Sequence, residues 1–140
     1  ADGPWGKKLV TVEGVALSLN DIEHRILRPL WDDPRIHYGL NCAAVGCPNL
    51  VRNAYRGTSV DRQLDAGARR FVNSPRGVWF DNGRLGVSSI YAWFKEDFGG
   101  EDAHILAHLK SYADPDLKAR LDGVQRIREH RYDWSLAAVR

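Results

Sequence analysis

The sequence predicts an α+β fold: one compact domain in which a small mixed or antiparallel sheet packs with about four helices. Three observations carry that expectation. Apolar residues recur at helical spacing in several separate stretches. Short alternating stretches punctuated by glycine lie between them. Strands and helices follow one another without the regular strand-helix repeat that builds a parallel sheet. The 140 residues, 44% hydrophobic and 27% charged, fit one domain spanning 1–140 with a modest core.

In chain order, "KKLVTVEGVAL" (7–17) predicts a short strand and a turn at Gly14. "SLNDIEHRILRPL" opens with a capping signal, Ser18 followed by Asp21, and continues as a helix until Pro29. "PRIHYGLN" predicts a strand, since Ile36, Tyr38 and Leu40 alternate with Arg35, His37 and Gly39. An irregular connection runs from "CAAVGCP" through Tyr55 and Gly57. Thr58 and Asp61 announce a long helix, "SVDRQLDAGARRFVNS", with Val60, Leu64, Ala68, Phe71 and Val72 inward. "GVWFDNGRLGVS" predicts a hairpin around Asp81-Asn82-Gly83. "SSIYAWFKEDFGG" predicts a helix stopped by Gly99, with Ile90, Trp93, Phe94 and Phe98 in the core. A further helix covers 102–112, with His104 and His108 facing solvent. "DPDLKARLDG" adds a turn or two, and "VQRIREHRYDWSL" predicts a last strand, with Asp133 as a buried acid anchoring a loop.

Composition narrows the function. The net charge is +2 and the basic residues alternate with acidic ones, so no cationic stripe is offered to nucleic acid. No run approaches the ~18 apolar residues of a membrane span. The absence of methionine, even at the first position, leads us to expect a processing site or a trimmed end. No cofactor motif is present. The two cysteines lack the paired spacing of a common zinc site, which makes a mixed Glu23, His24, His37 and Cys42 metal site the least supported option. Trp5 and Trp79 are candidates for lining a cleft.

The chemistry gathers near residues 20–48. A helical step places Leu19, Ile22, Ile26, Leu27 and Leu30 on one arc, and Glu23 falls inside it. A carboxylate there needs a cation, such as Arg28, Arg35 or Arg52, or serves to orient a histidine. His24 sits at the edge of that helix; His37 lies within the expected strand and needs partners if buried. Cys42 follows Leu40 and Asn41 where the strand should end. If "AAVG" forms a helical turn, its amide dipoles favour a thiolate. Strict alternation puts His37 and Cys42 on opposite faces, so contact requires a bend near Gly39; otherwise His24 is the better base. Cys47 is five positions on, close enough to pair with Cys42 as a redox-active or regulatory bridge, or it is a small buried apolar residue.

The blocks "SLNDIEHRILRP", "DPRIHYGLNCAAVGCPNLVRNAY", "LDAGARRFVN", "SSIYAWFKEDF" and "YDWSL", in this order, resemble the family called domain of unknown function 547. The resemblance runs from about Val12 to Leu136. It implies a bacterial or plant origin and an exported, periplasmic or extracellular location. It also implies a further N-terminal region that this chain lacks, making it the larger C-terminal part of the domain. The family's polar signature falls here on Ser18, Asn20, Asp21, Glu23, His24, Arg35, His37, Asn41, Cys42, Cys47 and Pro48. Ala137 stands where the family's closing motif normally carries asparagine.

The leading expectation is a thiol enzyme, papain- or transglutaminase-like in the broad sense, acting on an amide or thioester of a small molecule or peptide. Cys42 is its nucleophile, His37 or His24 its base and Glu23 its orienting acid. Asn41 and the amides after Cys42 are the expected oxyanion donors, and Asn20, Arg35 and Cys47 further binding residues. Both histidines precede the cysteine, the reverse of the papain-like order, which argues against close kinship. The alternatives are a thiol-binding or redox module that uses Cys42 and Cys47 with a small thiol such as glutathione, and a non-catalytic binding domain. An N-terminal segment or a second chain is a candidate for completing the site.

Overall fold

The computed structural model describes residues 3–137. Among these it is α+β, with five α-helices, shorter helical turns and two small sheets, of two and three strands. After a turn at Pro4–Gly6, strands β1 (Val10–Val12) and β2 (Val15–Leu17) pair antiparallel. Glu13 and Gly14 both take positive φ, 51° and 79°, as a two-residue hairpin turn with the sheet's own twist requires. The single expected strand is therefore a hairpin.

Ser18 and Asp21 form the predicted reciprocal cap. The Ser18 amide donates to Asp21 Oδ2 at 2.8 Å and the Asp21 amide to Ser18 Oγ at 3.1 Å. The helix that follows departs from expectation. Asp21–Leu27 is a π-helix in which the Arg28 amide reaches back five residues to the Glu23 carbonyl, and only Arg28–Trp31, α1, is α-helical. Pro29 lacks the N–H that the Arg25 carbonyl would accept in an α-helix, and the wider register relieves that defect. It also breaks the predicted apolar arc. Leu19 is 39% and Leu30 70% exposed, while Glu23 is half-buried rather than enclosed.

The expected strand around His37 is a 3-10 helix, Pro34–Tyr38. The Asp33 carboxylate accepts the Arg35 amide at 2.9 Å and proline occupies the first turn, a helix start that outweighs three alternating apolar residues. Helix α2 (Val60–Val72) buries Leu64, Ala68, Phe71 and Val72 as predicted. Strands β3 (Val78–Asp81) and β4 (Arg84–Ser88) form the predicted hairpin, and β5 (Glu129–Arg131) joins β4 in parallel. Helix α3 (Ser89–Trp93) continues as a 3-10 turn, Lys95–Phe98, ended by Gly99. Helices α4 (Asp102–Tyr112) and α5 (Pro115–Leu121) close the core.

That core gathers Tyr38, Phe71, Tyr91, Phe98, Ile105, Leu109 and Leu121 among others. His108, expected to face solvent, packs against it; its Nε2 lies 2.7 Å from the Tyr38 hydroxyl, which is 3.1 Å from that of Tyr91. Burial pushes the His108 imidazole down to about 4, and burial lowers His37 as well. Both rings take up protons more readily in the unfolded chain, so stability is full above the unfolded value near 6.5 and is lost as pH falls below it. We expect the thermal midpoint, followed by circular dichroism, to be level from pH 8 to 7 and to decline from pH 6.5 to 5, above the range where the paired carboxylates titrate. His108→Gln should flatten that decline; an unchanged slope excludes His108 as a source.

Candidate functional site

A cavity of about 310 Å³ opens between the π-helix, the 3-10 helix, α3 and the two ends of the described chain, within the range of small-molecule sites. Behind its wall, the lining residue His37 meets a charged junction built on Asp97, from the turn after α3. Arg28 donates to both carboxylate oxygens, Nε to Oδ2 at 2.6 Å and Nη2 to Oδ1 at 2.8 Å, and His37 Nε2 lies 2.7 Å from Oδ2. The hydrogen-bonded Arg28 guanidinium holds the Asp97 carboxyl below its usual range against the effect of burial, with His37 acting the same way as Arg28. Burial lowers the His37 imidazole although Asp97 pulls the other way. The ring stacks on Phe94, centroids 4.3 Å apart. With Nε2 committed to Asp97, Nδ1 is the nitrogen left for the cavity.

The facing wall is sulfur. Cys42 and Cys47 form a disulfide with Cα atoms 6.3 Å apart, inside the span such a bridge tolerates. Cys42 is half-buried and Cys47 is 4% exposed. The expected helical turn after Cys42 does not form. Ala43 takes φ 62° and the Cys47 amide closes a turn on the Ala44 carbonyl at 3.1 Å, so no helix dipole acts on Cys42. The Cys42 amide instead donates to Cys47 Sγ at 2.9 Å. Asn41 braces the loop, accepting from the Ala43 amide and donating to the Pro48 carbonyl, each at 2.8 Å.

A strap from the far end of the chain lies over this loop. The Val45 and Gly46 amides donate to the Ser135 and Asp133 carbonyls, the Ala137 amide donates to the Ala43 carbonyl, and Ala44 bridges Leu136. The strap carries Tyr132, whose hydroxyl stands 2.9 Å from Cys47 Sγ and 3.1 Å from Cys42 Sγ. Bridged sulfurs carry no hydrogen, so the phenol is the donor. Burial raises its pKa while Arg76 opposes, which keeps that proton in place. Tyr132 also packs against both Trp93 and Trp134, with centroids 4.8 and 4.7 Å away.

Of the residues singled out from sequence, Asn20, Glu23, His24, His37, Asn41, Cys42 and Cys47 all line this cavity. Arg35 does not. It is saturated by Asp33, Asp61 and Asp65, at 2.7, 2.8 and 3.0 Å, and ties the 3-10 helix to α2. The carboxylate that meets His37 is Asp97, not Glu23, whose Oε1 is 3.9 Å from Nδ1 of the exposed His24. Trp93, expected in the core, is 47% exposed and lines the cavity, as does Trp5, while Phe94 packs against the core as expected and also faces the cavity. Trp79 instead covers Arg131 and donates to Glu129. Asp133 is exposed and turns back onto Ser135. Among the described residues no group of three or more His, Cys, Asp or Glu is placed to hold a metal ion. Sequence reasoning missed Asp97 and Tyr132. The only signal for either was a place inside the "YAWFKEDF" and "YDWSL" blocks.

Fold and site define a small α+β domain with a disulfide set into the wall of an aromatic cavity. Residues 3–72 match the model of the family described as "Protein of unknown function, DUF547". The match spans half of the chain, which belongs to that family. It takes in Glu23, His37, Cys42 and Cys47, while Asp97 and Tyr132 lie beyond it. No curated protein and no solved structure matches the chain.

Gly46 is where strap and loop touch most closely. A Cβ there would stand 2.9 Å from the Asp133 amide nitrogen and 3.0 Å from the Tyr132 ring. Gly46→Ala should therefore destabilise the protein by about 1–3 kcal/mol, the usual cost of overpacking, measured by urea unfolding. A variant as stable as the parent shows that the strap gives way freely.

Proposed function

We propose that the cavity is a thiol site working by exchange at the Cys42–Cys47 disulfide, with a small thiol, or the thiol of a peptide, as partner. One observation carries this: the bridge lies in the cavity wall with Cys42 accessible and Cys47 buried. The partner's thiolate attacks Cys42 Sγ, the Cys42–Cys47 bond breaks, and its electron pair leaves on Cys47. The departing thiolate is met by the Cys42 amide and the Tyr132 hydroxyl, already 2.9 Å from that sulfur. A second thiolate then attacks the partner's sulfur, releasing the partner as its disulfide and Cys42 as a thiolate. Two thiols and one protein disulfide thus become one small disulfide and a protein dithiol. A disulfide of this kind suits an exported, periplasmic or extracellular protein.

One further observation favours acyl transfer by the reduced form. His37, oriented by Asp97, shares the cavity with Cys42, the elements of a thiol-histidine-acid site acting on an amide or thioester. This comes second because Cys42 is paired and the Asn41 amide group, the expected oxyanion donor, is committed to its own loop. If the reduced form does turn over a thioester, Asp97→Asn should lower kcat by about 10²-fold or more.

Two single-cysteine variants test exchange. Cys47→Ser, treated with the disulfide of 2-mercaptoethanol, should acquire one adduct on Cys42 by intact mass. Cys42→Ser, with its sulfur buried, should react at least about tenfold more slowly. Equal rates in the two variants, or two free thiols in protein purified in air, contradict the proposal.

A further inference from the structure

We propose that the cavity selects a cationic thiol: an aminothiol, with an ammonium a few bonds from its sulfur, in preference to a thiol bearing a carboxylate. This rests on exchange at Cys42 as set out above and names the partner's chemical class. Among the described residues that line the cavity, Glu23 is the one carboxylate, and no lysine or arginine is present. The Glu23 side chain is 25% exposed, so its charge acts through less water than at an open surface. The neighbouring cations make no hydrogen bond to Glu23, although Arg28 is close enough to feel its charge and sets Nη1 3.1 Å from His24 Nδ1. Arg28 is paired in bidentate fashion with Asp97. Arg76 lies behind the disulfide loop, where it donates to the Val45 and Cys47 carbonyls and to Asn49.

The attacking species sharpens the choice. Exchange requires a thiolate. A thiolate that also carries a carboxylate brings two negative charges toward Glu23, whereas an aminothiolate arrives neutral overall and turns its ammonium to that acid. The aromatic rim favours the same partner. Trp93 and Trp134 are 47% and 69% exposed with ring centroids 5.4 Å apart, and the open face of an indole attracts cations.

The test uses the full oxidised chain at pH 8, where imidazoles of ordinary pKa are neutral. Cysteamine, 2-mercaptoethanol and mercaptoacetate each reduce the protein, and loss of the disulfide is followed by quenching and intact mass. Each rate is divided by the same thiol's rate with free bis(2-hydroxyethyl) disulfide, which removes differences in thiol acidity and nucleophilicity. The expected order is cation, neutral, anion, with cysteamine about fivefold above 2-mercaptoethanol, the size of one partly screened ion pair. Glu23→Gln, with an unchanged circular dichroism spectrum, should bring the three normalised rates within about twofold. Equal normalised rates in the wild-type protein, or a faster anion, overturn the inference whether or not the variant folds. A preference that survives Glu23→Gln overturns Glu23 as its source. If none of the three reduces the bridge, exchange at Cys42 fails and this inference fails with it; if all reduce it without charge order, only the inference fails.

Discussion

The site depends on one carboxylate. Asp97 joins its own turn to Arg28 and His37, 69 and 60 residues away in sequence, through three short hydrogen bonds. A half-buried acid with two such partners is held firmly, because losing either strands a charge or a ring nitrogen in poorly solvated surroundings. Phe94 reinforces the junction, with the Arg28 guanidinium 4.8 Å from its centroid and His37 stacked on it. The result is a rigid back wall that fixes the π-helix and the 3-10 helix relative to α3. The space between them stays open as a cavity.

The sulfur wall is organised by a different logic. Its loop stands apart from the main core cluster although Ala44 and Cys47 are buried, and its shape comes from hydrogen bonds that Asn41 and the strap provide. The two sulfurs are unequal because Cys47 lies under Tyr132 and the strap while Cys42 faces the opening. That inequality, rather than any helix dipole, is what distinguishes the two sulfurs, and the proposed direction of exchange rests on it.

Much of this was legible in the sequence wherever signals were local. The Ser18–Asp21 cap, the Asp81–Gly83 turn, the inward face of α2 and the stop at Gly99 each follow from a few neighbouring residues, and each is found. Around His37, period-two alternation over five residues is a weak signal, and the Asp33-Pro34 helix start overrides it. Glu23 lies shallower than α-helical spacing predicts, because Pro29 turns that stretch into a π-helix. The cavity residues from 20 to 48 stood out because charged and thiol side chains among apolar ones demand a reason. Asp97 and Tyr132 did not stand out, since nothing in a linear pattern reveals that residues 60 and 85 positions away complete a site.

The strap also sets an order of events during biosynthesis. Tyr132 follows Cys42 by 90 residues, which at ordinary elongation speeds means roughly 5–20 seconds of translation. Through that interval the two cysteines exist as a bare hexapeptide turn, without the phenol or the backbone ladder that later encloses them. Contacts this distant in sequence are the slow ones to form. The disulfide loop is therefore made well before the segment that encloses it, and closing the strap is the step that sets its two sulfurs apart, covering Cys47 with Tyr132 while Cys42 stays half-buried.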